Sequence, residues 1–429
     1  MIIKVTDRFF EEKKYCIDTI LGLYLGIEYF IQIENSLPYF QIILPNNSIL
    51  NIQDSFFSKL QKQDCYLETK YIPQKVTYIT NDFTVIPAMP CIYGDDTVIV
   101  NSENRTIYCG LDIFASAYFM LSRWEETANN KRDKHFRFPH SESLAYKYNF
   151  LHRAVVQEYC HYLLRLWQVL DYKPTIKKRT FQIIPTHDID SALKWRNSLE
   201  KCKTLGGDIL KRRSFSNFKS TLFSKNDTYN TYSFLMDKAE NHGFKAYFYI
   251  LCTQRNRQIF TQNTILQEIK KRGHIIGLHP DYNSWNNTKK IEEEKKWLEN
   301  HIECKIEHAR QHFLRFQSPQ TWQLYTQSTI KYSSNIYYSP VPGFRSGTCF
   351  PYKPFHIHKR EIIDVWEQPL IFMDVSLFTM KEIADKQTYI LSLKETCKLF
   401  AGDFVFLWHN SSFDYQWKEF IDLFELLYK

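Results

Sequence analysis

Phe181-Gln182-Ile183-Ile184-Pro185, running straight into Thr186-His187-Asp188-Ile189-Asp190, decides the fold. A short apolar run that stops at paired carboxylates reads as a buried strand with polar chemistry at its C-terminal end. The same order of elements repeats downstream. A helical stretch from about Tyr232 ends at Asn241-His242-Gly243, where glycine suits a left-handed C-cap. Lys245 to Leu251 reads as the next buried strand, and Thr264 to Arg272 as a helix closed by Gly273. His274 to Leu278 is then a strand leading into His279, and Lys289 to Asn300 an exposed helix. His312 to Phe316 is a candidate strand, and later strands end near Asp374 and at Val405-Phe406-Leu407-Trp408, just before His409. Repeated strand–helix units predict an α/β fold with a parallel sheet, and about 250 residues suits a (β/α) barrel.

Upstream, the pattern differs. Tyr39 to Leu44 and Val98 to Val100 read as strands, and Leu111 to Leu121 and Arg153 to Leu170 as helices, with a polar loop from Ala128 to Pro139 between those helices. Asp171-Tyr172-Lys173-Pro174 followed by Lys177-Lys178-Arg179 marks a domain boundary. The expected division is an α+β domain over 1–175 and a barrel over 176–429.

The chain has 429 residues, 44% of them apolar and 24% charged, which is globular composition. Its 12 glycines include neither GxGxxG nor GxxxxGK[ST], so no phosphate-cradling loop is present. The formal charge of +8 is spread along the chain, which argues against nucleic acid as a partner. Ile20 to Ile27 is too short an apolar stretch to span a bilayer, so no membrane span is expected. The charged start Met1-Ile2-Ile3-Lys4-Val5-Thr6-Asp7-Arg8 and the ten cysteines without CxxC spacing predict reduced thiols and a cytoplasmic location.

In barrels, polar residues at the C-terminal ends of strands are the usual catalytic positions. Here those ends carry Asp188 and Asp190, His279, Arg315 and His409. Two carboxylates this close both ionise only beside a cation or strong donors, which points to one metal ligand and one base. The plainer alternative is a helix N-cap plus a surface acid. His279 is a metal ligand or a satisfied core histidine, and His409 is a general acid or base or a buried structural imidazole.

With these motifs in order, the second domain resembles the polysaccharide deacetylases, a carbohydrate esterase group built on a (β/α)7 barrel. Thr186-His187-Asp188-Ile189-Asp190 is similar to their T-x-D-x-D variant, and Leu407-Trp408-His409 to their closing L-x-H strand. Gly273-His274-Ile275-Ile276-Gly277-Leu278-His279-Pro280-Asp281-Tyr282-Asn283 follows G-H-x-I-G-x-H-x-x-x-H, except that asparagine replaces the last histidine. Gly243 to Tyr249 resembles the K-A-T-F-F strand, and Arg310 to Leu314 with Arg315 offers two candidates for the arginine strand, of which Arg315 is preferred. The first domain resembles an N-terminal module found in a bacterial subgroup, through Cys109 to Phe114, Leu121 to Glu126 and Leu151-His152-Arg153. There Arg123, Trp124, Glu125 and Glu126 either line a sugar cleft or cap a helix.

The resemblance implies a metal-dependent hydrolase that removes N- or O-linked acetyl groups from a sugar or glycan, such as a surface-polysaccharide precursor. It implies a divalent metal, most readily zinc, on Asp190, His279 and Asn283. Asp188 would be the base, His409 the acid, Arg315 the partner of Asp188 and Asp374 the orienter of His409. Arg345, Trp408 and Tyr282 would contact substrate. Alternative functions are a catalytically silent glycan-binding barrel and a DxD metal-dependent glycosyltransferase.

Overall fold

The computed structural model describes residues 1–60, 65–380 and 385–429. The first part of the chain is built on a six-stranded mixed sheet. Its order is Phe30–Ile33, Ile2–Val5, Tyr39–Ile43, Ile49–Gln53, Thr106–Leu111 and Gly94–Asn101. Tyr39–Ile43 and Ile49–Gln53 alternate between buried and half-buried residues, the period-2 pattern of a sheet with one face on a core. Helix Ile113–Ser122 is apolar almost all round and buried along its whole length. Its start is fixed by Asp112, whose carboxylate accepts the Ala115 backbone N–H at 3.0 Å. Helix Val155–Val169 packs against it.

The second part is a parallel barrel of seven staves in chain order. These are β1 (Gln182–Ile189), β2 (Tyr247–Leu251), β3 (Ile275–His279), β4 (His308–Ala309), β5 (Tyr332–Ser333), β6 (Trp366–Glu367, resuming at Phe372–Met373) and β7 (Asp403–Leu407). Each pairs in parallel with the next, and β7 pairs with β1. The sixth stave is broken. Its first half bonds to β5 and its second half to β7, so one extended segment leaves one edge of the sheet and joins the other. Pro369 lies in the break, where it need not donate to a ladder. The expected strand at His312 to Phe316 is a correction: it is a short 3-10 turn, His312–Leu314, and the stave is His308–Ala309. Left-handed dihedrals at Phe313 and Leu314 break the extended run there.

A continuous apolar core runs through both parts. They are also joined by a buried ionic knot. Glu126 accepts both Arg345 Nη2 at 2.6 Å and Arg123 Nε at 2.9 Å, and Arg123 also meets Glu125 at 2.6 Å. Burial opposes ionisation of Glu126, but Arg345 and Arg123 outweigh it and hold its carboxyl down at about 2. The barrel segment at 343–348 threads against the first part. Val156 N–H donates to the Gly347 carbonyl at 2.9 Å. Gly347 has φ +64°, and a Cβ there would lie 2.9 Å from Val155 Cγ2.

Glu126→Ala strands two buried guanidinium groups and is expected to cost about 3–5 kcal/mol in denaturant unfolding. His187 and His308 are held neutral by burial, each pushed down to about 4, whereas the unfolded chain takes up the same protons near pH 6.5. Their contribution is therefore complete above pH 6.5 and is lost as pH falls toward 4. The urea midpoint should drop across that window, and His308→Phe should flatten the slope.

Candidate metal centre and acid–base pair

Asp188, Asp190, His279, Arg310, Asp374 and His409 all lie at or just past the C-terminal ends of staves, so the parallel arrangement brings them to one barrel mouth. Arg310, fully buried, is the centre of the arrangement. Its Nη1 donates to Asp188 Oδ1 at 3.0 Å and to Thr186 Oγ1 at 2.7 Å. Its Nε and Nη2 donate to the Ser334 carbonyl and hydroxyl, each at 2.8 Å. The guanidinium lies 4.5 Å over the Tyr249 ring. That ring in turn crosses Gly277, where a Cβ would come within 2.6 Å of Tyr249 Cδ1. The glycine of the β3 motif therefore makes room for the ring under the arginine.

Asp190 and two imidazoles form a second group. Ligand atoms of Asp190, His279 and His312 all lie within 4.8 Å of one another. His279 Nδ1 is 2.6 Å from the Arg310 carbonyl, an acceptor only, so Nδ1 carries the proton and donates. In the neutral ring Nε2 is then a bare lone pair, and it faces Asp190 Oδ1 at 3.2 Å. Two acceptors at that distance repel unless a proton or a cation lies between them. The Asp190 Oδ1 atom is buried without a hydrogen bond, although the side chain as a whole is 40% exposed. His312 Nε2 is 3.6 Å from the same oxygen. Burial, and then the neighbouring His279, push His312 down to about 4, so it is a neutral imidazole near pH 7. Burial opposes the charge on Asp190, yet His279, His409 and His312 hold its carboxyl well below the usual range. A carboxylate and two neutral-capable imidazoles, converging on an unsatisfied oxygen, fit a divalent cation of the zinc type.

A third group faces these. His409 Nδ1 lies 2.8 Å from Asp374 Oδ1, and its backbone N–H donates to Asp374 Oδ2 at 2.8 Å. Its Nε2 points back toward Asp190, 3.8 Å from Oδ2. Burial disfavours the imidazolium, but Asp374, Asp190 and Asp188 together raise His409 to about 10.

Several residues stand elsewhere than the sequence suggested. The partner of Asp188 is Arg310 rather than Arg315, because the His312–Leu314 turn carries the chain away after Arg310. Arg315 instead donates to the Tyr282 carbonyl at 2.9 Å and is enclosed by the rings of Phe136, Tyr282 and Trp285. Asn283 is exposed, and its backbone N–H bonds to Asp281; the histidine completing the cluster is His312, from the turn after β4. Arg345 is buried on Glu126 and Trp408 is fully buried, its indole donating to the Ser412 carbonyl, so neither is placed to touch a sugar. Tyr282 is half-buried, with its hydroxyl 3.2 Å from His135 Nδ1 of the first part. Arg310 was the other arginine of its motif, whereas His312 had no spacing relation to His279 that would reveal it.

The WbmS-like polysaccharide deacetylase family profile matches residues 251–419. Residues 1–173 match DUF7033, described as a family of unknown function. No curated protein sequence matches the chain. Among solved structures, the polysaccharide deacetylase Bc1974 from Bacillus cereus aligns at 10% identity and TM-score 0.28, over 58% of this chain and 86% of its own. The peptidoglycan deacetylase PdaC from Bacillus subtilis aligns at 10% identity and TM-score 0.23, over 58% of this chain and 93% of its own. Puue allantoinase aligns at 11% identity and TM-score 0.36, over 58% of this chain and 82% of its own.

Titration of zinc into the metal-free protein should separate the two candidate ligands. His312→Ala is expected to weaken binding by at least about tenfold, because one of three ligands is lost, and Asn283→Ala to leave it unchanged.

Proposed function

Because residues 251–419 match the WbmS-like polysaccharide deacetylase profile, we propose that the chain is a metal-dependent hydrolase removing N- or O-linked acetyl groups from a sugar or glycan. A surface-polysaccharide precursor is the substrate class proposed, with residues 1–175 as an accessory unit. The observation that carries this reading is the unbonded Asp190 Oδ1 facing His279 Nε2 at 3.2 Å, with His312 alongside. Asp190, His279 and His312 would hold the metal. When bound, a zinc ion supplies Lewis-acid polarisation of the acyl carbonyl and lowers the pKa of water.

The protein's own groups divide the proton transfers. Asp188 has Oδ1 engaged by Arg310, which leaves Oδ2 as the atom that takes the proton of an attacking water. Arg310 holds that carboxylate fixed in direction. His409, cationic and anchored through Nδ1 by Asp374, delivers a proton from Nε2 to the departing sugar nitrogen or oxygen. Asp188 thus takes a proton from the attacking water and His409 gives one to the leaving group. A silent glycan-binding barrel would have no need of a cationic His409 held by a fully buried carboxylate. A DxD glycosyltransferase would leave both His279 and His409 without a task.

Acetate release from acetylated sugars tests this assignment. Asp188→Asn and His409→Gln should each lower kcat by about 10²-fold or more while retaining zinc, and a chelator should abolish activity until zinc is restored. Undiminished turnover by Asp188→Asn would remove the proposed base.

A further inference from the structure

Between β1 and β2 the chain inserts a pair of helices, Ser198–Leu210 and Phe215–Phe223, whose burial is inverted. In the first helix the only buried residue is Asp208, and in the second it is Thr221. These two meet inside the pair, with the Thr221 hydroxyl donating to Asp208 Oδ2 at 2.9 Å. Arg212 Nη1 and Tyr415 Oη complete the polar interior, at 2.6 and 3.2 Å from Asp208 Oδ1. Most of the large apolar side chains are exposed: Leu210 is 78% exposed, Phe223 75%, Phe215 66% and Leu199 65%, with Ile209 and Leu222 also exposed and Leu205 and Phe218 half-buried.

A surface helix of a water-facing protein normally buries its apolar stripe. Leu199, Gly206 and Leu210, and Phe215, Phe218 and Leu222, recur at the three-, four- and seven-residue spacings that place them on one side of each helix. Basic side chains are interleaved with them. Lys201, Lys203, Lys211, Arg212, Arg213 and Lys219 stand against Glu200 and Asp208, and Asp208 is consumed internally. Exposed leucine and phenylalanine among lysines and arginines, over a polar interior, is the composition of an element lying in the interface of an anionic bilayer. Helices of 13 and 9 residues are too short to cross one.

We propose that this hairpin is a peripheral membrane-docking element that seats the barrel mouth against a bilayer containing anionic phospholipid. The hairpin begins eight residues after Asp190, and through Tyr415 it packs on the loop that follows His409. Docking therefore turns the metal centre and acid–base pair toward the lipid surface, whatever reaction they perform. A substrate carried on a lipid would be met there without leaving the membrane.

Co-sedimentation of the 429-residue chain with vesicles tests the proposal, using phosphatidylglycerol mixed with phosphatidylethanolamine against pure phosphatidylcholine. Two variants are compared with the parent: Leu210→Ser with Phe215→Ser and Phe223→Ser, and Lys211→Glu with Arg213→Glu. The parent should bind the anionic vesicles and release them as salt is raised, and each variant should bind at least about tenfold more weakly. Because the altered side chains are exposed, unfolding midpoints should be unchanged, and turnover of a soluble acetylated sugar should match the parent. Equal sedimentation with and without anionic vesicles would overturn the proposal. So would a concentration-dependent dimer dispersed by the apolar triple variant, which would make the face a contact between two copies of this chain.

Discussion

Arg310 is the constraint on which the barrel mouth depends. A guanidinium with no solvent contact needs hydrogen-bond partners for its donors, and here they go to Thr186 and Asp188 on β1 and to Ser334 just past β5. The same residue's backbone carbonyl fixes the tautomer of His279. One side chain therefore sets the direction of the carboxylate, while one main-chain oxygen sets which imidazole nitrogen is left bare. Gly277 and Tyr249 belong to this arrangement, since the ring that lies under the arginine occupies space a Cβ would otherwise fill. The parallel barrel makes such convergence inexpensive in chain, because every stave delivers its last residue to the same end.

A second buried charge cluster does a different job. Arg123, Glu125, Glu126 and Arg345 are shielded from water and satisfy one another across the junction of the two parts. Removing Glu126 leaves two buried guanidinium groups with no solvent to turn to. The loop around Phe136 adds a second tie. His135 meets Tyr282, Arg137 donates to the Phe313 carbonyl at 2.9 Å, and Phe136 stacks on Trp285. Phe313 directly follows His312, so the first part of the chain helps hold the left-handed turn that presents a candidate ligand.

The inverted hairpin and the barrel mouth illustrate two uses of burial. At the mouth, charge is taken out of water and matched by converging partners. In the hairpin, one aspartate is matched internally while hydrocarbon is left facing out. Both depart from the ordinary rule of apolar inside and polar outside, and both lie at the same end of the barrel.

Local signals were legible wherever one segment carries its own physics. The alternating strands at Tyr39–Ile43, the glycine-ended helix Tyr232–Asn241 and the staves leading to Asp188, His279 and His409 could be read from period and end residues. The acidic pair and both of those histidines stood out because each closes an apolar run. What the linear chain left open was partnership. Arg310 and Arg315 are of the same type and five residues apart, and only the turn at His312–Leu314 decides which one stays inside the barrel. His312 reaches Asp190 and His279 through space from the turn that follows β4, and Arg345 and Trp408 looked like sugar contacts until packing enclosed them. Residue type and spacing determine which groups can carry charge, ligate or end a strand, because those properties are local. Which of them meet, and which are sealed from water, depends on contacts between segments far apart in the chain, and only the closed barrel decides those.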